Sequence, residues 1–232
     1  MISIIIPTYN ESKNITDLVV RINRCLSRNY ELIIVDDGSP DGTGLLAEEL
    51  AQNYPIKVIH RRQKLGLASA VIEGFKAGCG ELLCVMDSDL SHPPEIIPLL
   101  LEKFEDPNTD LVVASRFAKG GGIKNWPKKR LLSTYLAIAT VRPLTKVKDP
   151  MSGFFILKRN VIHEVKLIPR GFKILLEILV KGKYKGVEES PFVFIDRVHG
   201  VSKLNLKVYQ DFIAQLCDLY FYRLRMIFRI QQ

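Results

Sequence analysis

The two aspartates of Asp87-Ser88-Asp89 are the residues of this sequence best suited to bind a metal ion. They directly follow residues 82–86, an apolar run with the length and composition of a buried strand. Two carboxylates at such a place repel each other unless a cation compensates them. Mg²⁺ and Mn²⁺ prefer oxygen ligands, and an ion with few protein ligands keeps room for diphosphate oxygens. The motif therefore predicts a site where a metal ion neutralises a departing diphosphate.

Two further polar clusters stand directly after apolar runs. Residues 7–11 follow the run 2–6, and residues 36–39 follow the run 31–35. Ligands of parallel sheets bind beyond the carboxyl ends of the strands, so we expect both clusters to lie beside the aspartate pair. Several of their polar residues are explained equally well as turn formers or helix N-caps, namely Asn10, Ser39 and Asp41.

The residue types in these clusters suit a bound nucleotide. Tyr9 could stack on a base, Glu11 could bind the ribose hydroxyls, and Asp37 could accept hydrogen bonds from the base. Val35 could contribute a backbone contact. For each of these residues a purely structural role stays open.

The elements that must position these residues follow from hydrophobic patterning. Five short apolar, β-branched runs predict strands at 2–6, 31–35, 56–60, 82–86 and 111–114. Helical spacing between and after them predicts helices at 14–27, 42–53, 67–77 and 94–104. Strands that alternate with helices at short spacing predict an α/β fold, a mostly parallel Rossmann-like sheet flanked by helices.

The regular alternation ends after Arg116. Patterning predicts helices at 131–141 and 175–180, strands at 154–157 and 191–195, and a long helix at 204–230. Basic segments at 124–130 and 196–203 add cationic side chains. No internal repeat or low-complexity segment is present.

The composition is that of one ordered globular domain with a small appendage. The chain has 232 residues, a formal net charge of +8 and a pI of about 9.3, so we expect anionic partners. The basic residues are dispersed and no nucleic-acid-binding motif is present, which argues against nucleic acid. The N-terminus is unlike a signal peptide, and no run of 18 uncharged apolar residues predicts a membrane span. Four scattered cysteines predict buried thiols in a reducing compartment, at Cys25, Cys79, Cys84 and Cys217.

The motifs taken together resemble those of a known family. They are 7–11 (PTYNE), 35–43 (VDDGSPDGT), 65–70 (LGLASA), 86–95 (MDSDLSHPPE), 115–116 (SR), 121–127 (GGIKNWP), 149–154 (DPMSGF) and 197–203 (R-x-x-G-x-S-K). In this order they resemble the inverting glycosyltransferases of GT-A fold, family 2. Within these, the chain is most similar to the polyprenyl-phosphate mannosyltransferases, over about residues 1–205.

The resemblance implies an enzyme that transfers mannose from GDP-mannose to dolichyl or another polyprenyl phosphate, with Mg²⁺ or Mn²⁺ as cofactor. It implies that the nucleotide-sugar is held by Pro7, Tyr9, Glu11, Val35, Asp37, Asp87, Ser88, Asp89, Arg116, Arg197 and Lys203. It places the metal at Asp89 and Ser91, although the family usually has Gln at the position of Ser91. A serine hydroxyl is shorter than a glutamine side chain, so water could replace it as a ligand.

Such a reaction needs no general base, because a lipid phosphate is already ionised near neutral pH. It needs cations that hold the phosphate against charge repulsion. The cations that fit this role are Arg116, Arg130, Arg197 and Lys203, and we expect Asp89, Arg116 and Arg130 to be the catalytic residues. Asp149 has three open interpretations: it caps a turn, orients an arginine or contacts the acceptor.

The lipid acceptor predicts contact with a membrane surface. The long helix combines six aromatic residues with Arg223, Arg225 and Arg229, which is typical of a helix at a headgroup interface. We therefore expect a catalytic domain at 1–203 and an amphipathic membrane-associating tail at 204–232. The helix at 131–141 is explained equally well by packing on the core. The expected location is peripheral, on the cytoplasmic face of a membrane, with membrane partner subunits as one option.

Two alternatives remain open at this point. The same chemistry could use UDP-glucose, because sugar recognition is spread over loops that the sequence does not place. The chain could also be a non-catalytic protein that binds a nucleotide-sugar.

Overall fold

The computed structural model describes residues 1–26, 29–169, 173–195 and 206–230. The first half alternates strands and helices as predicted, with bounds that differ by a few residues. Its elements are β1 Ile2–Thr8, α1 Ile15–Cys25, β2 Tyr30–Asp36, α2 Thr43–Ala51, β3 Ile56–His60, α3 Leu67–Ala77 and β4 Leu82–Val85. Each predicted strand and helix of this half is present.

The second half departs further from the pattern. Its elements are α4 Ile97–Glu102, β5 Thr109–Ser115, β6 Gly122–Lys124, α5 Lys128–Val141, β7 Phe155–Lys158, α6 Ile174–Lys181, β8 Gly186–Pro191, β9 Val193–Ile195 and α7 Leu206–Ile230. The prediction of one strand at 191–195 is wrong, because two strands, β8 and β9, meet there. The predicted helix at 94–104 is α-helical only over α4, Ile97–Glu102. A 3₁₀ turn precedes α4 and another follows it.

The main sheet has seven strands in the order β3-β2-β1-β4-β7-β5-β8. Strand β7 runs antiparallel to its neighbours β4 and β5, and the other pairs are parallel. Strands β6 and β9 form a separate two-stranded parallel sheet. The predicted fold class, a mostly parallel sheet flanked by helices, is therefore confirmed.

Both faces of the sheet are buried, which explains why its strands are continuous apolar runs. In β1, Ile4 and Ile6 point to one face, where α1, α2 and α4 pack. Ile5 points to the other face, where α3 and α6 pack. The alternation follows from the two-residue period of a strand. A tightly packed sheet of this kind is a rigid support for the loops at its edge.

Helices α5 and α7 form a third layer against α6. Ile138 and Val141 of α5, together with Leu219 of α7, are buried in a cluster with Leu176 and Val180. Packing on the core is therefore confirmed for one stripe of α5, while Leu132, Tyr135 and Leu136 on the same helix are exposed. Among the described residues, no helix is long and apolar enough to cross a membrane.

The four cysteines are free thiols, and the expectation that they are buried is confirmed for Cys84 alone, because Cys25 is half-buried and the other two are exposed. Cys84 is buried in β4, whereas Cys79 and Cys217 are exposed. Cys79 lies in the turn before β4, and Cys217 lies on the outer face of α7. An apolar sequence neighbourhood does not show which side of a helix or turn a single residue occupies.

Candidate functional site

A cleft of about 450 Å³ lies beyond the carboxyl ends of β1, β2 and β4. These three strands are adjacent in the sheet, so the loops that follow them meet at one edge. The cleft extends from there to α5, β9 and α7. From the sequence-based site it is lined by Pro7, Tyr9, Glu11, Asp37, Asp87, Ser88, Asp89, Ser91, Arg116 and Arg130.

Among the described residues of the predicted site, Val35 does not line the cleft. Val35 is completely buried, and its side chain packs in the core below α3. Arg197 and Lys203 lie outside the described residues. The remaining predicted residues converge although they come from five separate stretches of the chain.

The aspartate pair is fixed by hydrogen bonds around it. Ser88 Oγ donates to the carbonyl oxygen of Pro7 at 3.2 Å, which joins the end of β4 to the end of β1. Ser91 donates to Asp89 Oδ1 twice, from its hydroxyl at 2.6 Å and from its backbone N–H at 3.2 Å. Ser91 therefore orients the Asp89 carboxylate in this structure.

His92 supports the same loop from below. Its Nδ1 accepts a hydrogen bond from the backbone N–H of Asp87 at 2.9 Å, and its ring stacks on Phe154 at 5.2 Å. Burial lowers the pKa of His92, more strongly than the nearby Asp87 carboxylate raises it. A neutral imidazole that accepts at Nδ1 is the form that this hydrogen bond requires. His92 thus holds the backbone of Asp87 in place.

The end of β2 is tied to the loop before α3. The Asp37 carboxylate accepts backbone N–H groups from Leu65 at 3.0 Å and Gly66 at 2.8 Å. It also pairs with Arg61, whose Nη1 lies 3.1 Å from Oδ1. Asp37 thereby holds one wall of the cleft in place while its side chain contributes to the lining.

Tyr9 and Glu11 lie at the same end of the cleft. Lys64 Nζ lies 3.7 Å from the centroid of the Tyr9 ring, in cation–π contact. Glu11 Oε2 accepts a hydrogen bond from Asn14 at 2.8 Å. The sequence interpretation gave no role to Lys64, because a lysine in a loop is usually only a solvated charge.

The other end of the cleft is built on an ion pair between Arg116 and Asp149. The guanidinium donates to both carboxylate oxygens at 2.7 Å, and the Arg116 backbone N–H donates to Oδ2 at 3.0 Å. Asp149 is completely buried, and Arg116 is 8% exposed. Glu189 in turn accepts the backbone N–H groups of Lys148 and Asp149. Of the three interpretations of Asp149, the structure supports the one in which it orients an arginine.

Trp126 connects the two arginines of the cleft. Its ring centroid lies 3.9 Å from Arg130 Cζ and 5.3 Å from Arg116 Cζ. Both distances are those of cation–π contacts. The indole N–H is buried and has no hydrogen-bond partner among the described residues. Two guanidinium groups therefore contact one aromatic ring in the cleft that the aspartate pair also lines.

Lys173 is a further cation in the cleft that the sequence interpretation missed. It lies at the start of α6, and its Nζ donates to the carbonyl oxygen of Met151 at 3.1 Å. Burial and then the charge of Arg116 lower the pKa of Lys173 to about 7. A single lysine before an apolar helical run gives no sequence signal of such a position.

The residues present fit a divalent cation only in part. The described residues contain no group of three or more His, Cys, Asp or Glu side chains that could enclose a metal ion. The two carboxylates of Asp87 and Asp89 line an open cleft. That donor set suits an ion that takes its remaining oxygens from a bound diphosphate and from water.

This fold and cleft define a glycosyltransferase of the GT-A type. A family model, Glycosyl transferase family 2, matches residues 3–166. The chain therefore belongs to glycosyl transferase family 2. The resemblance seen in the motifs is confirmed, and the chain is an enzyme of the glycosyltransferase class.

Curated relatives give a more specific match than the family model. The dolichol-phosphate mannosyltransferase of Pyrococcus furiosus is 47% identical over 223 residues, which is 94% of this chain and 63% of the relative. The dolichol-phosphate mannosyltransferase of Saccharomyces cerevisiae is 39% identical over 235 residues, 95% of this chain and 87% of the relative. This chain thus spans less than two thirds of the archaeal relative's length.

Solved structures agree on the fold. Glucosyl-3-phosphoglycerate synthase from Mycobacterium tuberculosis, in complex with Mn²⁺, UDP-glucose and phosphoglyceric acid, has a TM-score of 0.68 and 19% identity. That match covers 93% of this chain and 79% of the other. The same enzyme with Mg²⁺ and UDP has a TM-score of 0.71 and 20% identity, covering 94% and 79%. At these identities the likeness shows the GT-A fold alone.

We expect Asp149→Asn to remove most activity and to destabilise the protein. The amide keeps the size of the side chain but leaves the buried Arg116 without its opposite charge, which costs about 3–5 kcal/mol in comparable pairs. Thermal unfolding and transfer kinetics measure the two effects. Asp106→Asn, at an exposed turn, is the matched control. A variant with wild-type unfolding and wild-type kcat would contradict this role of Asp149.

Proposed function

We propose that this chain transfers mannose from GDP-mannose to a polyprenyl phosphate such as dolichyl phosphate, with inversion at the anomeric carbon. One observation carries the proposal: a single cleft is lined both by the aspartate pair after β4 and by two arginines, Arg116 after β5 and Arg130 on α5. The names of the curated relatives support the same donor sugar and acceptor class.

The nucleotide belongs at the end of the cleft formed by β1 and β2. Tyr9 offers a ring for the base, and Glu11 offers a carboxylate for the ribose hydroxyls. Pro7 and Asp37 complete this wall, and any contact from Val35 is limited to its backbone because its side chain is buried. Arg197 and Lys203 are proposed to approach the phosphates, on the strength of the sequence motif alone.

The diphosphate belongs at Asp87, Ser88 and Asp89. The two carboxylates would hold Mg²⁺ or Mn²⁺, which offsets the charge that develops on the departing diphosphate. Ser91 acts through Asp89, because its hydroxyl already donates to Oδ1 at 2.6 Å. His92 accepts a hydrogen bond from the Asp87 backbone and Pro7 accepts one from the Ser88 hydroxyl, and these two bonds hold the loop in place.

The acceptor phosphate belongs beside Arg116 and Arg130. A phosphate oxygen attacks the anomeric carbon, the bond from that carbon to the diphosphate breaks, and GDP leaves with the electron pair. The attacking oxygen is already anionic, so no side chain has to remove a proton. The two guanidinium groups lower the repulsion between the phosphates and orient the attack, and Trp126 fixes their spacing.

We further propose that α5 and α7 lie on a membrane surface. Their outer faces expose apolar side chains: Leu132, Tyr135, Leu136, Ile213, Phe221 and Leu224. Exposed cations stand beside them at Lys128, Lys129, Arg223 and Arg225. Apolar and basic residues on one face are typical of interfacial helices at anionic lipid. The catalytic domain at 1–203 would then be held by the tail 204–232 as a peripheral protein on the cytoplasmic face, with or without membrane partner subunits.

The donor is tested with purified protein, Mn²⁺ and polyprenyl phosphate in vesicles, supplied with labelled GDP-mannose or labelled UDP-glucose. We expect lipid-linked product from GDP-mannose only. Asp89→Asn should lose at least about a hundredfold in rate, because the diphosphate charge is then poorly compensated. Asp17→Asn, an exposed aspartate on α1, should react like wild type. Product from UDP-glucose alone would overturn the donor assignment, and binding without turnover would favour a non-catalytic protein.

We expect Ser91→Ala to weaken Mn²⁺ binding about 10- to 100-fold, as removal of a hydrogen bond to a metal ligand commonly does. Ser91→Thr keeps a hydroxyl and should stay close to wild type. Titration of Mn²⁺ by electron paramagnetic resonance in the presence of GDP measures this without turnover. Equal Mn²⁺ affinity in the alanine variant would show that Ser91 does not set the position of Asp89.

The membrane contact is tested with the double variant Leu132→Ser and Leu136→Ser on α5, whose side chains are 61% and 62% exposed. We expect at least about tenfold weaker co-sedimentation with anionic vesicles, because burying a leucine contributes about 1.5–3 kcal/mol. Leu45→Ser on α2, which is 71% exposed, is the matched control and should bind like wild type. Equal loss in both proteins would argue against a specific membrane face.

A further inference from the structure

Apart from Lys64 over the Tyr9 ring, three cationic side chains among the described residues line the cleft. Arg116 is compensated by Asp149 in the buried ion pair. Arg130 lies against the Trp126 ring, and Lys173 completes the set from the start of α6. The fall of the Lys173 pKa to about 7 reflects an ammonium that is poorly solvated and close to Arg116. An anion that enters the cleft stabilises the charged form of a lysine in such surroundings.

The position of Lys173 is set by the turn at residues 149–153. Asp149 of this turn holds Arg116, and the Met151 carbonyl of the same turn accepts the Lys173 ammonium at 3.1 Å. A β-carbon at Gly153 would lie only 3.3 Å from Asp87 Oδ2. One short turn therefore brings Arg116, Lys173 and the aspartate pair to one place.

The backbone of Lys173 is held from the other side by α7. Gln215 is 5% exposed, and its Nε2 donates to the Lys173 carbonyl oxygen at 3.1 Å. Gln215 of α7 thus holds the Lys173 backbone, and the Met151 carbonyl oxygen holds its Nζ. A cation fixed at both ends loses little conformational freedom when it binds a ligand.

We propose that Lys173 is a phosphate-binding residue of the transfer site, which donates from Nζ to a phosphate oxygen between the aspartate pair and the two arginines. This inference rests on the proposed function, since it takes the anion to be a phosphate of the nucleotide-sugar or of the lipid. Both sources present anionic phosphate oxygens that accept hydrogen bonds. An ammonium suits this place because it binds as a compact point charge with three donors, whereas the neighbouring arginines bind in a fixed plane.

The experiment compares Lys173→Met and Lys173→Arg with wild type. The sole tryptophan, Trp126, lines the same cleft, so its fluorescence reports binding without turnover. GDP with Mn²⁺ and a short-chain polyprenyl phosphate in detergent micelles are titrated separately, and transfer kinetics are recorded in parallel. Lys183→Met, at an exposed ion pair with Glu164, is the matched control and should behave like wild type.

We expect Lys173→Met to weaken the binding of one ligand about 10- to 100-fold, as for loss of a charged hydrogen bond. A higher Kd for GDP with an unchanged KM for the lipid assigns Lys173 to the diphosphate. A higher Kd and KM for the lipid phosphate alone assigns it to the acceptor. Lys173→Arg should recover part of the affinity, because it keeps the charge.

Unchanged Kd and KM values for both ligands in Lys173→Met would overturn the inference. So would equal loss of affinity in the methionine and arginine variants together with an equal fall in Tm, because that pattern describes a purely structural lysine. If wild type binds GDP and lipid phosphate but forms no product, the proposed function fails. The fluorescence titrations then still decide whether Lys173 binds phosphate.

Discussion

The antiparallel strand β7 is the constraint on which the site depends. It is inserted between β4, which ends at the aspartate pair, and β5, which ends at Arg116. The turn at 149–153 that leads into β7 must therefore lie between these two strand ends. The buried ion pair of Asp149 with Arg116 fixes the turn there, and Glu189 on β8 fixes Asp149. Strand β7 therefore gives the aspartate end and the arginine end of the cleft a common support.

A buried ion pair is a costly way to hold a loop, because two charges must leave water. In the proposed reaction two anionic phosphates approach each other, so an arginine held in place by this ion pair is useful there. An arginine that is already oriented loses little freedom when a phosphate arrives. The same reasoning applies to Trp126, whose ring contacts Arg116 and Arg130 together. The proposed reaction requires no general base, and preorganised cations supply the electrostatic stabilisation that it does require.

The first half of the fold could be predicted from the sequence because each strand and helix there is defined by a local hydrophobic pattern. Strands β1, β2 and β4 are continuous apolar runs, and the polar residues after them are read directly from the sequence. The contacts of the second half are not local. Arg116 and Asp149 are 33 residues apart, and the direction of β7 depends on neighbours rather than on its own composition. Lys173 carried no signal, since only the turn at 149–153 brings it into the cleft.

Helix α7 has two surfaces with different surroundings, and its position follows from both. Leu219 and Gln215 are buried against α5, α6 and the Lys173 backbone, and the Tyr220 hydroxyl donates to the Thr140 carbonyl oxygen on α5 at 2.8 Å. Its outer face is apolar and exposed, while Tyr209 and Phe212 line the cleft. If this outer face lies on lipid as proposed, a polyprenyl chain reaches the cleft along apolar side chains. Its phosphate then arrives at Arg130 and Trp126 without crossing the charged nucleotide end.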